Sequence, residues 1–208
     1  AADGVVYLEL RVATSALTAA GAGTYAQALD WVWQASRKAE ENTGIQVQLV
    51  ALMNRHESLA EAARFFELII ERKNDGYCGI DLAGDELHYP GREFIPLFEK
   101  ARESGLGVSV HAGEWGNAEN VREAIEDFEV TRVSHGVRVM EDPTIVSLAR
   151  ERQTVFEVCV TSNYQTGVVS ALTNHPLNRM LMAGLNITIN TDDPCISDIT
   201  LSHEYQLA

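Results

Sequence analysis

Three short blocks set histidine or paired acids against glycine. In Val110-His111-Ala112-Gly113-Glu114 a histidine is followed three residues on by a carboxylate, with a glycine turn between. One loop of that kind can supply both a metal ligand and an acid–base group. Ser134-His135-Gly136 repeats the histidine–glycine step. Asn190-Thr191-Asp192-Asp193-Pro194 puts two carboxylates side by side. Adjacent carboxylates repel, so both stay ionised only with a cation or hydrogen-bond donors nearby. A fourth block, Asp81-Leu82-Ala83-Gly84-Asp85-Glu86, carries acids that could cap a helix. Its glycine would allow close backbone approach to a ligand. Nitrogen and oxygen donors without thiolate suit catalytic zinc, which lowers the pKa of a bound water to about 7. Glu114 would then be free to shuttle protons. His56, His88, His175 and His203 read as surface, loop or cap residues without chemistry. Trp31, Trp33 and Trp115 read as packing, although Trp115 could wall a pocket beside Glu114.

Such residues act together only if the fold gathers them. Apolar runs over 5–11, 45–53, 77–82, 107–111, 130–135, 154–160 and 185–191 read as strands. They are rich in Val, Ile and Leu rather than alternating, as in a parallel sheet buried on both faces. Amphipathic helices separate them. Thr24 with Gln27 and Ser58 with Glu61 have the spacing of capping boxes, and Asp142-Pro143 opens another helix. This alternation fits a doubly wound sheet or a (β/α)8 barrel. No glycine-rich turn follows the first strand, since Gly21-Ala22-Gly23 lies well beyond it, so the barrel is the better reading. In a barrel, catalytic groups sit at the C-terminal strand ends, where all four blocks fall.

Composition narrows the partners. Sixteen basic against thirty acidic residues leave a net charge of −14. No basic cluster exists to bind a phosphate backbone, so nucleic acid is not expected as a partner. No apolar run reaches the ~18 residues of a membrane span. Cys78, Cys159 and Cys195 are scattered and form no CxxC, which favours a reducing, cytoplasmic location. The chain starts without methionine or signal peptide and stops inside a helix pattern. It is therefore expected to be one barrel domain, residues 1–208, truncated at both ends.

The blocks from Asp81, His111, Ser134 and Asn190, together with Glu157-Val158-Cys159 and Ser162-Asn163, resemble the adenosine deaminase family. The resemblance implies a zinc-dependent (β/α)8 (TIM-type) barrel converting adenosine to inosine and ammonia, with a small-molecule purine nucleoside as partner. By that likeness His111 and Asp192 would bind zinc. Glu114 would protonate purine N1, and His135 would orient and help deprotonate the water that zinc binds. Asp193 would bond N7, and the Gly84 N–H would reach N3. The family's first strand carries a His-x-His pair, and this chain has no H-x-H. Strands 2–8 are thus expected to be present, strand 1 and the end of the C-terminal helix missing, and two further histidine ligands to belong to the missing N-terminal segment. The 208-residue piece alone is expected to bind zinc weakly and turn over little. Rival readings are a deaminase of adenine or another 6-aminopurine nucleoside, a binuclear amidohydrolase, and a non-catalytic purine-binding protein. The amidohydrolase is disfavoured by the lack of a lysine at the corresponding strand end.

Overall fold

The computed structural model of the chain describes residues 3–13, 15–19, 21 and 23–208. The residues form two compact units, one of residues 1–84 and 89–108, the other of 85–88 and 109–208. Among the described residues seven strands follow chain order, β1 to β7, in one sheet. That is the strand order of a (β/α)8 barrel with seven of its eight strands present.

The first unit carries β1 (Tyr7–Val12), β2 (Gln46–Asn54) and β3 (Tyr77–Ala83), paired in parallel. Helices α1 (Ser15–Ala19), α2 (Tyr25–Thr43), α3 (Leu59–Glu71) and α4 (Ile95–Glu103) belong to it. The expected Thr24–Gln27 capping box is formed, and Gly44 closes α2 in the left-handed conformation. Ser58 caps α3 by accepting from the Glu61 N–H. Leu49, Met53, Phe66, Ile69, Ile80, Leu82 and Phe98 are fully buried, each contributing roughly 1.5–3 kcal/mol of apolar burial. Asp81 is buried on β3, where the Arg11 guanidinium donates to it at 2.7 Å. β1, at one end of the sheet order, keeps Leu8 and Leu10 about 40% exposed.

The second unit carries the end of β4 (Gly107–Ala112), then β5 (Arg132–His135), β6 (Val155–Val158) and β7 (Asn186–Ile189). Register pairs Ala112 with His135 and Ser134 with Glu157, so successive strand ends lie level. The intervening helices are α5 (Ala118–Glu126), α6 (Pro143–Glu151), α7 (Val160–Gln165), α8 (Leu177–Met182), α9 (Pro194–Ser197) and α10 (Leu201–Leu207). Asp142 caps α6, with Pro143 in its first turn as expected. The sixth strand is shorter than its apolar run. It ends at Val158, and Val160 and Thr161 open α7 despite their β-branched side chains. Tertiary contacts override propensity here, because the buried Glu204 carboxylate accepts from both the backbone N–H and the hydroxyl of Thr161. Among the described residues no helix is long and apolar enough to cross a membrane.

Candidate active site

The strand ends of the second unit bring the expected residues together. His135, the last residue of β5, is buried and has φ of 62°. A non-glycine residue in the left-handed region costs of order 1–3 kcal/mol, and such strain collects at functional sites. Gly136 follows at φ 64°, and a β-carbon there would lie 2.3 Å from the Phe156 ring. Two left-handed residues therefore follow one another at the end of β5. The Nε2 of His135 lies 3.5 Å from Glu114 Oε2 and 3.8 Å from Asp192 Oδ2. The His111 ring, from the end of β4, has its centre 5.2 Å from that of His135. Asp192 also has positive φ, 55°, and accepts from the Ser162 hydroxyl at 2.7 Å. Burial, then the charge of Asp192, pushes the Asp193 carboxyl above its usual range, with His111 opposing.

Glu114 is held by a residue to which the sequence reading gave no role. Glu86 is buried, and its carboxylate accepts from the backbone N–H groups of Gly113, Glu114 and Gly116 at 2.8, 2.7 and 2.7 Å. These bonds satisfy the donors of the loop after β4 and fix the direction of the Glu114 side chain. A β-carbon at Gly116 would sit 2.9 Å from the Glu86 carboxyl carbon and closer still to Asn120, so those side chains would have to shift. Burial pushes the Glu114 carboxyl up to about 7; Asp192 and Glu86 add to the rise and His111 opposes it. A carboxyl so placed holds its proton near neutral pH, as a general acid must.

The acids of the Asp81 block divide three ways. Asp81 pairs with Arg11, Glu86 ties the loop, and Asp85 caps the turn after it. The Asp85 carboxylate accepts from the backbone N–H groups of Leu87 and His88, and the His88 side chain and these bonds hold it below its usual range. Gly84 directly follows β3 in the first unit at φ 100°, with its backbone beside that of Arg55.

Two further residues of the second unit join the cluster. Cys159 has its sulfur within 4.8 Å of ligand atoms of His135 and Asp192. Its thiol donates weakly to the Glu157 carbonyl at 3.6 Å. Asn163 is fully buried, with its amide 3.1 Å from His135 Nδ1. His175 is half-buried and reaches Asn163 from the loop before α8. It does cap that helix, accepting the Leu177 N–H, but it is more than the cap or loop residue expected. Trp115 is 44% exposed.

Imidazole nitrogens and carboxylate oxygens in one strained, partly buried cluster are a donor set that suits zinc. Crowded acids also gain from a nearby cation. The group can therefore hold a metal, position water and move a proton.

The profile of the adenosine deaminase family matches residues 1–208. The adenosine deaminase of Erwinia tasmaniensis is 36% identical over 205 residues, covering 99% of this chain and 61% of the relative. The adenine deaminase structure from Arthrobacter aurescens matches with a TM-score of 0.91 at 31% identity, over 99% of this chain and 62% of that one. An amidohydrolase from Burkholderia ambifaria, solved with bound Zn, matches with a TM-score of 0.88 at 26% identity, over 98% of this chain and 57% of that one. The chain spans about three fifths of the length of these relatives. The fold is that of a (β/α)8 barrel, with imidazoles and carboxylates gathered at strand ends of the second unit. The chain belongs to the adenosine deaminase family.

Proposed function

We propose that the protein hydrolyses the C6 amino group of a 6-aminopurine nucleoside, adenosine first, releasing inosine and ammonia. One observation carries the reading: the His135 imidazole is held 3.5 Å from Glu114 and 3.8 Å from Asp192 at adjoining strand ends. That is a proton donor, a water-orienting group and a metal-binding carboxylate within reach of one ring atom.

His111 and Asp192 would hold zinc, with two histidines from a segment N-terminal to this chain completing the set. Held there, zinc would lower the pKa of a water to about 7 and so make hydroxide available at neutral pH. Aromatic C6 is a poor electrophile until N1 is protonated, and Glu114 delivers that proton. A bond forms from the water oxygen to C6, and the C6–N6 bond then breaks. Of the two water protons, one ends on N1 through Glu114 and the other leaves on nitrogen as ammonia. His135 orients the water. Asp193, raised toward its protonated form by burial, is the group for purine N7, and the Gly84 N–H is the group for N3. Residues 1–208 act as one catalytic domain in this account.

Adenine remains a specific alternative, since a structural relative at 31% identity is an adenine deaminase. Ammonia release by the full-length, zinc-loaded protein from adenosine, adenine and other 6-aminopurine nucleosides tests both. The expected result is the largest kcat/KM on adenosine. A preference for free adenine would replace the nucleoside reading, and no ammonia from any of them would end it.

A further inference from the structure

We propose that His175 and Asn163 form a one-way hydrogen-bond relay that keeps the His135 proton on Nε2, making both of them positioning residues. The inference rests on the deamination reading for its purpose but not for its geometry.

The relay starts from a donor whose direction is certain. The backbone N–H of Leu177 can only donate, and it lies 3.1 Å from His175 Nδ1. That nitrogen is therefore the acceptor, and a neutral His175 carries its proton on Nε2. His175 Nε2 lies 3.2 Å from one side-chain atom of Asn163. Facing an N–H, that atom must be the carbonyl oxygen Oδ1, which settles the amide's orientation. Asn163 Nδ2 then donates to His135 Nδ1 at 3.1 Å. So Nδ1 of His135 is the acceptor, and its proton sits on Nε2, the nitrogen facing Glu114 and Asp192.

The relay is built to hold. Asn163 is wholly buried in α7, and its own backbone is tied at both ends: its N–H donates to Cys159 and its C=O accepts from Val169. Burial pushes the His175 imidazole down to about 4, so it stays neutral and its Nδ1 keeps its lone pair.

The consequence is chemical. With Nε2 already protonated, His135 offers an N–H to an oxygen at the site. Its basic nitrogen, Nδ1, faces an amide N–H and is ill placed to take a proton. The part that the resemblance implies for His135, to orient and help deprotonate water, narrows to orientation. The water's proton goes to a carboxylate, and Glu114, which passes one to N1, is the one positioned for it.

The direct test is long-range proton–nitrogen NMR of full-length protein with 15N-labelled histidine, at about pH 8, above the ordinary histidine pKa. It reads the tautomer whether or not the protein turns over any purine, so it fails separately from the deamination reading. The expected spectrum gives His135 a pyrrole-type Nε2 and a pyridine-type Nδ1. The reverse assignment overturns the relay. Asn163→Asp presents an acceptor to Nδ1 and should pull the proton there, lowering kcat about 10–100-fold while KM changes little. An unchanged spectrum and kcat would also overturn it. Where Asn163→Asp fails to fold, His175→Gln and His175→Phe decide. The glutamine amide can still donate to Asn163 and should keep the wild-type His135 signals, whereas phenylalanine should lose them. Wild-type signals and kcat in His175→Phe would remove His175 from the relay.

Discussion

Replacing Glu86 with glutamine should loosen the loop that aims Glu114. One carboxylate oxygen accepts from Glu114 and Gly116, the other from Gly113. Glutamine can keep the first pair through its carbonyl oxygen, but its NH2 then faces the Gly113 N–H. One charge-assisted bond, about 1.5–3 kcal/mol, is lost, and the two that remain become neutral and weaker. The sum is about 3 kcal/mol. With a urea m-value of about 2–3 kcal/mol/M, the unfolding midpoint of the full-length protein should fall by about 1 M. A proton donor displaced by about 1 Å costs on the order of 100-fold, so kcat should drop by that much in molecules that remain folded. Loss of the Glu86 charge also removes one of the influences that raise the Glu114 carboxyl. Urea denaturation and steady-state kinetics on Glu86→Gln measure both effects. An unchanged midpoint with unchanged kcat would refute the claim that these three bonds hold the loop.

Gly136→Ala should be strongly destabilising. The left-handed backbone costs roughly 1–2 kcal/mol and the clash with Phe156 roughly 1–3 kcal/mol more, readable as a fall in the denaturation midpoint. Asp193→Ala should raise KM for the purine far more than it changes metal content, as kinetics and metal analysis of the same samples would show. If it instead emptied the metal site, the division of labour between Asp192 and Asp193 would be reversed. Chelation should abolish turnover and zinc should restore it, whereas persistent activity in metal-free protein would remove the metal from the account. For His175 the pKa is lower folded than unfolded, so the unfolded chain binds more protons between about pH 6.5 and 4. Its contribution is fully present above pH 6.5 and declines as pH falls through that window. The urea midpoint of His175→Gln should accordingly fall less than wild type on acidification across that range, and a parallel fall would contradict this.

The barrel and its strand ends were legible because apolar runs mark parallel strands and because His111, His135 and Asp192 fall where those runs stop. Glycine beside histidine was a sound signal: at Gly136 the chain needs both the left-handed turn and room for Phe156. Glu86 stayed hidden because its partners are backbone N–H groups 27–30 residues away, which leave no mark on side-chain types. What could have exposed it was the loop Gly113–Gly116 itself, whose donors had to go somewhere. His175 looked like a lone loop histidine because its link to His135 runs through Asn163 on a helix that the β-branched Val160 and Thr161 disguised as strand. Cys159 entered only through the block Glu157-Val158-Cys159, since its nearness to Asp192 is set by the level ends of β6 and β7.

In the proposed reaction Glu114 passes the proton that makes C6 of a 6-aminopurine attackable. The most direct test of this step is the single-turnover rate of full-length, zinc-loaded Glu114→Gln on adenosine, with adenosine affinity measured by calorimetry on the same protein. Near-normal affinity and a rate lower by about 10²–10⁴-fold are expected. A rate close to that of the unaltered protein would contradict this role for Glu114.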